Sequence, residues 1–195
     1  MIDIDQVFMR LPYPPTPQSR LSYRKLSMTN FAWDSVIELP VINAYHRDPR
    51  ITANDAGGVL IVSYSEPDAF FYPHLYANSP PENRDFDITA TFYSGVPTTT
   101  EVISTTTVLN ATGGPNPVIA LDQEGNAHVV WSKAVANSGE IHTIRYDAQD
   151  GWEAVATILA SGQGAAADPA VVAAPGGRAF ATYYQSEAYN FVAYE

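Results

Sequence analysis

One motif occurs three times in the 195-residue chain and constrains its fold more than any other feature. The copies start at Asp48, Asn116 and Asp168, each with a Pro next and a Gly eight residues after that Pro. An apolar run precedes the Gly, and a second run, apolar and aromatic, follows it. Pro is tolerated at the first residue of a strand, and Gly supplies the positive φ of a tight turn. Each copy therefore predicts a β-hairpin.

Two further strand-like runs follow each of the first two hairpins, at 88–93 and 101–105 and at 141–146 and 152–158. Four strands in a unit of roughly 50 residues match the blade of a β-propeller. We therefore predict an all-β fold of four-stranded antiparallel blades. The first strand of each hairpin is apolar without alternation, which predicts that it is buried on both faces.

The strands that the sequence predicts amount to three to three and a half blades. Trp33 stands at the place of Trp152, so the chain ahead of Asp48 corresponds to the outer strands of a blade. The last predicted strand, at 190–194, is the third of its unit. Because propellers typically have 4–8 blades, we expect an open arc or a ring that a second copy of the chain completes.

The first 19 residues differ from the blade region at 20–195. Four Pro lie between Leu11 and Ser19. This composition predicts an extended, polyproline-like arm.

Composition argues against several classes of function. The net charge is −11 with only two Lys, which disfavours binding to a phosphate backbone and hence to nucleic acid. No apolar run approaches the ~18 residues of a membrane span, and the acidic start at Met1–Asp5 does not match a secretory signal. The chain has no Cys, and its four His lack metal-ligand spacing, so we expect neither a metal nor a cofactor. The acidic surface is typical of extracellular, cell-surface or virion-associated proteins rather than cytoplasmic ones.

The sequence resembles the sialidase-like β-propellers with BNR repeats. The resemblance rests on the Asp/Asn-Pro start, the Asp-x-x-Gly turn, the Val-Val-Trp-Ser end of the second strand, and the segment from Arg145 to Trp152, which is similar to an Asp-box without its Ser/Thr-x-Asp spacing. It covers about 23–194 and implies a propeller fold. It implies function weakly, because propellers carry binding and catalytic sites alike.

In a propeller blade the first strand of each hairpin is the inner strand, next to the central axis. The loops that precede the inner strands and the loops that join the second strand to the third lie on the same face of the propeller. The long insertion at 65–87 lies in such a loop, where function tends to reside. This face gathers carboxylates, Arg side chains and aromatic rings. Because the polar groups can bind hydroxyls and the rings can stack on a sugar ring, we predict a sugar-binding site there. The predicted ligand-binding residues are His46, Arg47, Asp48, Arg50, Glu66, Asp68, Tyr72, His74 and Arg84.

Three functions follow from this pattern. The leading one is a non-catalytic module that binds a glycan or another surface ligand. The second is a fragment of a glycoside hydrolase, in which Glu66 and Asp68 are the candidate catalytic carboxylates by location alone. The third is a structural subunit that assembles with itself. Asp48, Asn116 and Asp168 recur, and this favours a role in the repeat over a role in binding.

Overall fold

The structure is a computed structural model of the whole chain. It describes residues 22–23, 29–33, 35–39, 46–65, 84–93, 97–108, 114–135, 138–162, 164, 166–185 and 188–194. Within these ranges the regular structure is entirely β-strand, which confirms the all-β prediction. No described segment forms a helix with the length and apolar character that a bilayer crossing requires.

The strands form three consecutive antiparallel sheets and one short ladder. The ladder pairs β1 (Ser22–Tyr23) with β2 (Ile37–Glu38). The first sheet contains β3 (His46–Ala53), β4 (Val59–Ser65), β5 (Arg84–Tyr93) and β6 (Pro97–Val108). The second sheet contains β7 (Val118–Leu121), β8 (Ala127–Val135), β9 (Ser138–Asp147), β10 (Gly151–Trp152) and β11 (Thr157–Ala160). The third sheet contains β12 (Ala166–Ala174), β13 (Arg178–Gln185) and β14 (Ala188–Tyr194).

Each sheet is a meander in which consecutive strands are neighbours. In the second sheet β10 and β11 both pair with β9, so the single fourth strand predicted at 152–158 is divided in two. The described strands confirm the three hairpins and the strands predicted after them, except that the second sheet has five strands in place of four. They do not close into a ring.

The start of each hairpin motif has one unusual backbone conformation. Asp48, Asn116 and Asp168 all have positive φ, between 46° and 49°. The first and third lie at a register shift, between Arg47 and Arg50 and between Ala167 and Ala170. Asp and Asn adopt the left-handed region at lower cost than other non-Gly residues, because their short side chains hydrogen-bond locally. The recurring residue therefore serves a β-bulge at the start of each inner strand.

Asn116 lies at the same kind of bulge, just before β7. The Ser132 amide donates to the Pro115 carbonyl at 2.9 Å, while Val118 pairs with Val130. The four residues from Pro115 to Val118 therefore lie opposite the three from Ser132 to Val130, which is the pattern of a β-bulge. We call the end of the sheets that carries these bulges the loop end, and the opposite end, with the hairpin turns, the turn end.

All three sheets use equivalent faces to contact one another. Alignment on the motif shows that Leu60, Val62 and Tyr64 correspond to His128, Val130 and Ser132, and to Phe180, Thr182 and Tyr184. These residues lie on one face of each sheet, which we call the forward face, and the opposite face is the backward face. In the first two sheets the forward face is directed to the next sheet. The backward face receives the preceding sheet through Ala127, Val129 and Trp131 in the second sheet and through Ala179, Ala181 and Tyr183 in the third.

The interface between the first and second sheets is large and aromatic. The packed side chains at its centre are Leu60, Val62, Tyr64, Phe86, Ile88, Ala90, Ala127, Val129, Trp131 and Ile144. At the turn end, Phe92 lies 4.2 Å from Tyr146 and 5.9 Å from Trp152, measured between ring centroids. The sequence pattern predicts that all three Trp pack between blades, and Trp131 and Trp152 do lie between sheets. Trp33 is 58% exposed, so the prediction is wrong for this residue.

The interface between the second and third sheets uses smaller side chains. Its apolar centre is Val130, Ile141, Ala166, Ala181 and Tyr183. The backbones approach closely where Gly139 donates to the Gly164 carbonyl at 2.8 Å. A Cβ on Gly139 would overlap the backbone of Ala166, so this approach requires Gly.

The burial expected for the inner strands differs among the sheets. β7 is buried or partly buried along its whole length and packs against the apolar clusters on both sides. The expectation is wrong for β3 and β12. Arg47 to Ile51 of β3 are exposed, and Val172 of β12 is 62% exposed. The deeply buried strand of the first sheet is β4, where every residue from Leu60 to Ser65 is buried. An inner strand has a ladder partner on one side only, whereas the second strand is flanked on both sides within its sheet.

Candidate ligand-binding site at the loop end

The bulge of the first sheet places three of the predicted ligand-binding residues at the loop end. Arg47, Asp48 and Arg50 are exposed there. The register places His46 opposite Ser65, which is opposite Asp87. Arg84, three residues before Asp87 on β5, lies at the same end of the sheet. The structure therefore brings the described part of the predicted site to one end of the first sheet.

The remaining predicted residues, Glu66, Asp68, Tyr72 and His74, lie outside the described residues. The two candidate catalytic carboxylates are among them. The hydrolase hypothesis thus stays a prediction.

Neighbouring inner strands place the loop ends of the sheets beside one another. β3 contacts β7, and β7 contacts β12. The positive φ of Asp48, Asn116 and Asp168 gives all three the same backbone role. Their recurrence is therefore explained by the bulge, as the sequence pattern favoured.

A second polar group, which the sequence pattern does not predict as a site, lies at the loop end of the second sheet. The ring nitrogen Nε2 of His142 donates to Glu140 Oε2 at 2.8 Å, and Lys133 Nζ lies 4.0 Å from the same oxygen. All three side chains are partly buried. The His142 ring also stacks on the indole of Trp131 at 5.7 Å between centroids. These contacts fix the carboxylate as an acceptor between two cationic or donor groups.

Strand register explains why this group forms. Lys133 pairs with Glu140, and Trp131 pairs with His142, so their side chains occupy the backward face of the second sheet. Glu140 and His142 are two residues apart on β9, which places both on one face. The i, i+2 spacing was visible in the sequence. The pairing with Lys133 was not, because it depends on how β8 and β9 align.

The turn end carries a different polar network. The carboxylate of Asp122 accepts from the Asn126 amide at 2.7 Å, from Asn126 Nδ2 at 2.8 Å and from the Gly177 amide at 3.0 Å. Burial acts to raise the pKa of Asp122, but these hydrogen bonds outweigh it and hold the pKa below its usual value of 3.8. The carboxylate therefore joins the second hairpin turn to the third.

His128 makes a parallel link. Its Nε2 is 2.9 Å from the Gly177 carbonyl, so Nε2 carries the proton that it donates. Burial lowers the pKa of His128 below 6.5, against the opposing effect of this hydrogen bond. The ring is therefore neutral near pH 7.

The first turn is attached to the second in the same way. Asn54 Nδ2 donates to the Asp122 carbonyl at 2.9 Å, and the Asp55 amide donates to Gln123 Oε1 at 3.1 Å. These links use polar side chains of the first two turns and the backbone of Gly177 in the third. The turn end is thus a structural region, and the loop end is the better candidate for binding.

The segment similar to an Asp-box forms the turn after β9. The amides of Gln149 and Asp150 donate to Asp147 Oδ1 at 2.9 and 3.3 Å, and Arg145 Nη2 lies 3.0 Å from Asp147 Oδ2. The hydrogen bond from Gln149 is the main cause that lowers the pKa of Asp147. The Asp of this segment therefore organises a turn.

Together, fold and site define an all-β protein of consecutive, equivalently packed antiparallel sheets, with a structural polar network at the turn end and exposed polar side chains at the loop end. No protein-family model matches the sequence, and no curated protein is significantly similar to it. Within the described residues, no group of three or more potential ligands could hold a metal ion.

Proposed function

We propose that this chain is a non-catalytic, sialidase-like β-propeller module that binds a glycan or another surface ligand at its loop end. The observation that carries the proposal is the exposed group Arg47, Asp48 and Arg50 on the bulge of the first sheet. Guanidinium groups donate several hydrogen bonds in a fixed geometry, and carboxylates accept from hydroxyls. These are the groups that orient sugars in binding sites.

The bulge supports binding because it fixes the backbone that carries these side chains. Asp48 holds a left-handed conformation between two extended segments, and β3 is paired with β4 on both sides of it. A site on such a backbone loses less conformational entropy on binding than a site on an unpaired loop.

A glycan array probed with the full chain tests the proposal. We expect binding to a subset of glycans, and at least tenfold weaker binding when Arg47 and Arg50 are both replaced by Ala, from the loss of charge-assisted hydrogen bonds worth about 1.5–3 kcal/mol each. Arg178→Ala is the matched control, because Arg178 is an exposed arginine of the third hairpin turn. Equal binding by the double variant and the control would refute the proposal.

Self-assembly is a second candidate, favoured by the forward face of the third sheet. The equivalent face is covered by a neighbouring sheet in the first two sheets, whereas Val172, Phe180 and Tyr184 are exposed in the third, Phe180 by 51%. We propose that a second copy of this chain covers this face and so continues the series of sheets toward a closed ring.

Sedimentation velocity over a range of protein concentrations tests self-assembly. We expect the mean mass to rise with concentration and Phe180→Asp to abolish the rise. Val155→Asp is the control, because Val155 is 77% exposed and lies in the second sheet between β10 and β11, outside the third-sheet face. A constant mass equal to one chain would exclude this function.

A further inference from the structure

Four aromatic side chains are exposed among the residues whose side chains the structure describes, and they form two surfaces. Phe31 and Trp33 lie between β1 and β2, in the short ladder that precedes the first sheet, and we call this pair the Trp33 surface. Phe180 and Tyr184 lie on the forward face of the third sheet. Grouped, exposed apolar side chains are typical of a surface that contacts another molecule.

The short ladder repeats the outer half of the second sheet. β2 pairs with β1 in the way that β11 pairs with β9, with both pairs antiparallel. Trp33 stands five residues before Glu38 of β2, and Trp152 stands five residues before Thr157 of β11. Trp33 therefore occupies the position that Trp152 occupies in the second sheet.

Trp152 shows what a side chain at this position contacts. Its ring lies 5.9 Å from the ring of Phe92, measured between centroids, and Phe92 pairs with Leu60 on the forward face of the first sheet. A Trp at this position thus packs on the forward face of the sheet before it. Among the described sheets, the first two have their forward faces covered by the next sheet, so the third alone has an exposed forward face for Trp33.

The exposed residues of the third sheet lie at the place where this contact is made. Phe180 corresponds to Leu60, the strand partner of Phe92. Phe180 pairs with Val172, which is also exposed, and both lie toward the turn end, as Phe92 and its partner do. The two exposed surfaces are therefore the two sides of an interface between sheets that one chain leaves incomplete.

The backbone of the Trp33 surface supports a role in contact. Phe31 has a φ of 53°, in the left-handed region, whereas the other described non-Gly residues with positive φ are Asp or Asn. This conformation is unfavourable for a residue with a large side chain. The Ala32 amide donates to Asn30 Oδ1 at 3.1 Å, which helps to fix the turn. A strained turn that exposes an aromatic ring is typical of a functional position.

We propose that the Trp33 surface of one copy of the chain packs on the forward face of the third sheet of a second copy. The inference rests on the self-assembly candidate and deepens it, because it names the surface that covers Phe180. The two surfaces differ, so the contact is heterologous. Two such contacts related by a twofold axis close a ring of two copies.

Single substitutions in the full chain test each surface by sedimentation velocity. We expect Trp33→Asp and Phe180→Asp each to weaken self-association at least about thirtyfold, as the loss of a central aromatic residue from an interface predicts. Val36→Asp is the matched control and should associate as the wild type does. Val36 is exposed three residues after Trp33, and Val155, three residues after Trp152, stays exposed although Trp152 is packed.

A mixture of the two variants tests the pairing itself. Trp33→Asp keeps an intact third-sheet face, and Phe180→Asp keeps an intact Trp33 surface. We expect each variant alone to sediment as one chain and the equimolar mixture to form particles of two chains, held by one contact. A mixture that stays at the mass of one chain would overturn the inference. Both positions are exposed, so the circular dichroism spectra should match the wild type. Trp33→Ser and Phe180→Ser take their place if an Asp variant unfolds.

The inference and the self-assembly candidate fail in different ways. Association that is lost in Phe180→Asp but unchanged in Trp33→Asp would keep self-assembly and overturn the Trp33 surface as the partner. It would indicate instead that two third-sheet faces contact each other. A wild-type mass of one chain at every concentration would exclude self-assembly and this inference with it.

Discussion

The two interfaces between sheets are built from the same repeat but are held by different chemistry. Between the first and second sheets, large apolar and aromatic side chains such as Ile88 and Trp131 are fully buried. Between the second and third, the side chains are smaller, and Asp122 and His128 add buried hydrogen bonds to Gly177. The hydrogen bonds between the first and second turns, made by Asn54 and Asp55, are only partly buried or exposed. The two interfaces therefore differ in how deeply the hydrogen bonds between their turns are buried and in the size of the side chains beside them.

The largest expected effect tests the apolar interface. Ile88→Ala removes a fully buried side chain and leaves a cavity, which typically costs 2–5 kcal/mol. Urea unfolding monitored by circular dichroism would measure the loss. Ile51→Ala is the matched control, because Ile51 is 63% exposed, and it should cost less than about 1 kcal/mol. Similar losses for the two variants would contradict the comparison.

The next effect tests the polar interface. Asp122→Ala leaves the amides of Asn126 and Gly177 without their acceptor, and we expect a loss of about 2–3 kcal/mol in the free energy of unfolding. Asp147→Ala removes another turn carboxylate that accepts from backbone amides but makes no contact between sheets. A larger loss for Asp147→Ala than for Asp122→Ala, measured by the same urea titration, would show that the link between sheets contributes little.

A smaller effect tests the bulge at Asn116. This bulge belongs to the second sheet, which takes part in both interfaces. Asn116→Val places a β-branched residue at a φ of 46°, which we expect to cost about 1–2 kcal/mol. Asn116→Gly should be within about 0.5 kcal/mol of the wild type, because Gly adopts this conformation freely. Thermal unfolding of both variants would decide. Equal stability of the Val and Gly variants would mean that the left-handed conformation is not needed.

The smallest effect is a pH dependence confined to the polar interface. Because the pKa of His128 in the folded protein is below 6.5, the unfolded chain binds more protons, and stability falls as the pH drops below 6.5 toward the folded pKa. The lowered pKa of Asp122 acts in the same direction, but only below pH 3.8. Unfolding midpoints at pH 7.5 and 5.0 should therefore differ less in His128→Gln, whose amide can still donate to Gly177, than in the wild type. An identical pH dependence would exclude this role for His128.

Much of the fold could be predicted from the sequence, because local signals specify the hairpins. Pro and Gly mark where each strand pair begins and turns, and the structure confirms the strands predicted from them. The burial of the inner strands could not be predicted, since the apolar residues of an edge strand look the same as those of a central one. The sequence predicts that Asp48 has a role in the repeat but does not predict the bulge, because the register shift appears only when β3 is paired with β4.

The site was less predictable than the fold. Arg47, Asp48 and Arg50 follow from the repeat alone, since they lie at the start of an inner strand. Lys133, Glu140 and His142 come together only through strand register.

The direction of packing has a consequence for how such a chain can grow. The first and second sheets each turn the forward face to the next sheet. Duplication of one whole unit during evolution would therefore place a new backward face against a forward face of the kind that it already contacts. Duplication of a single hairpin would instead add strands without a complete sheet to continue the series. Lengthening by whole units is therefore the route that this architecture permits at the lowest cost in stability.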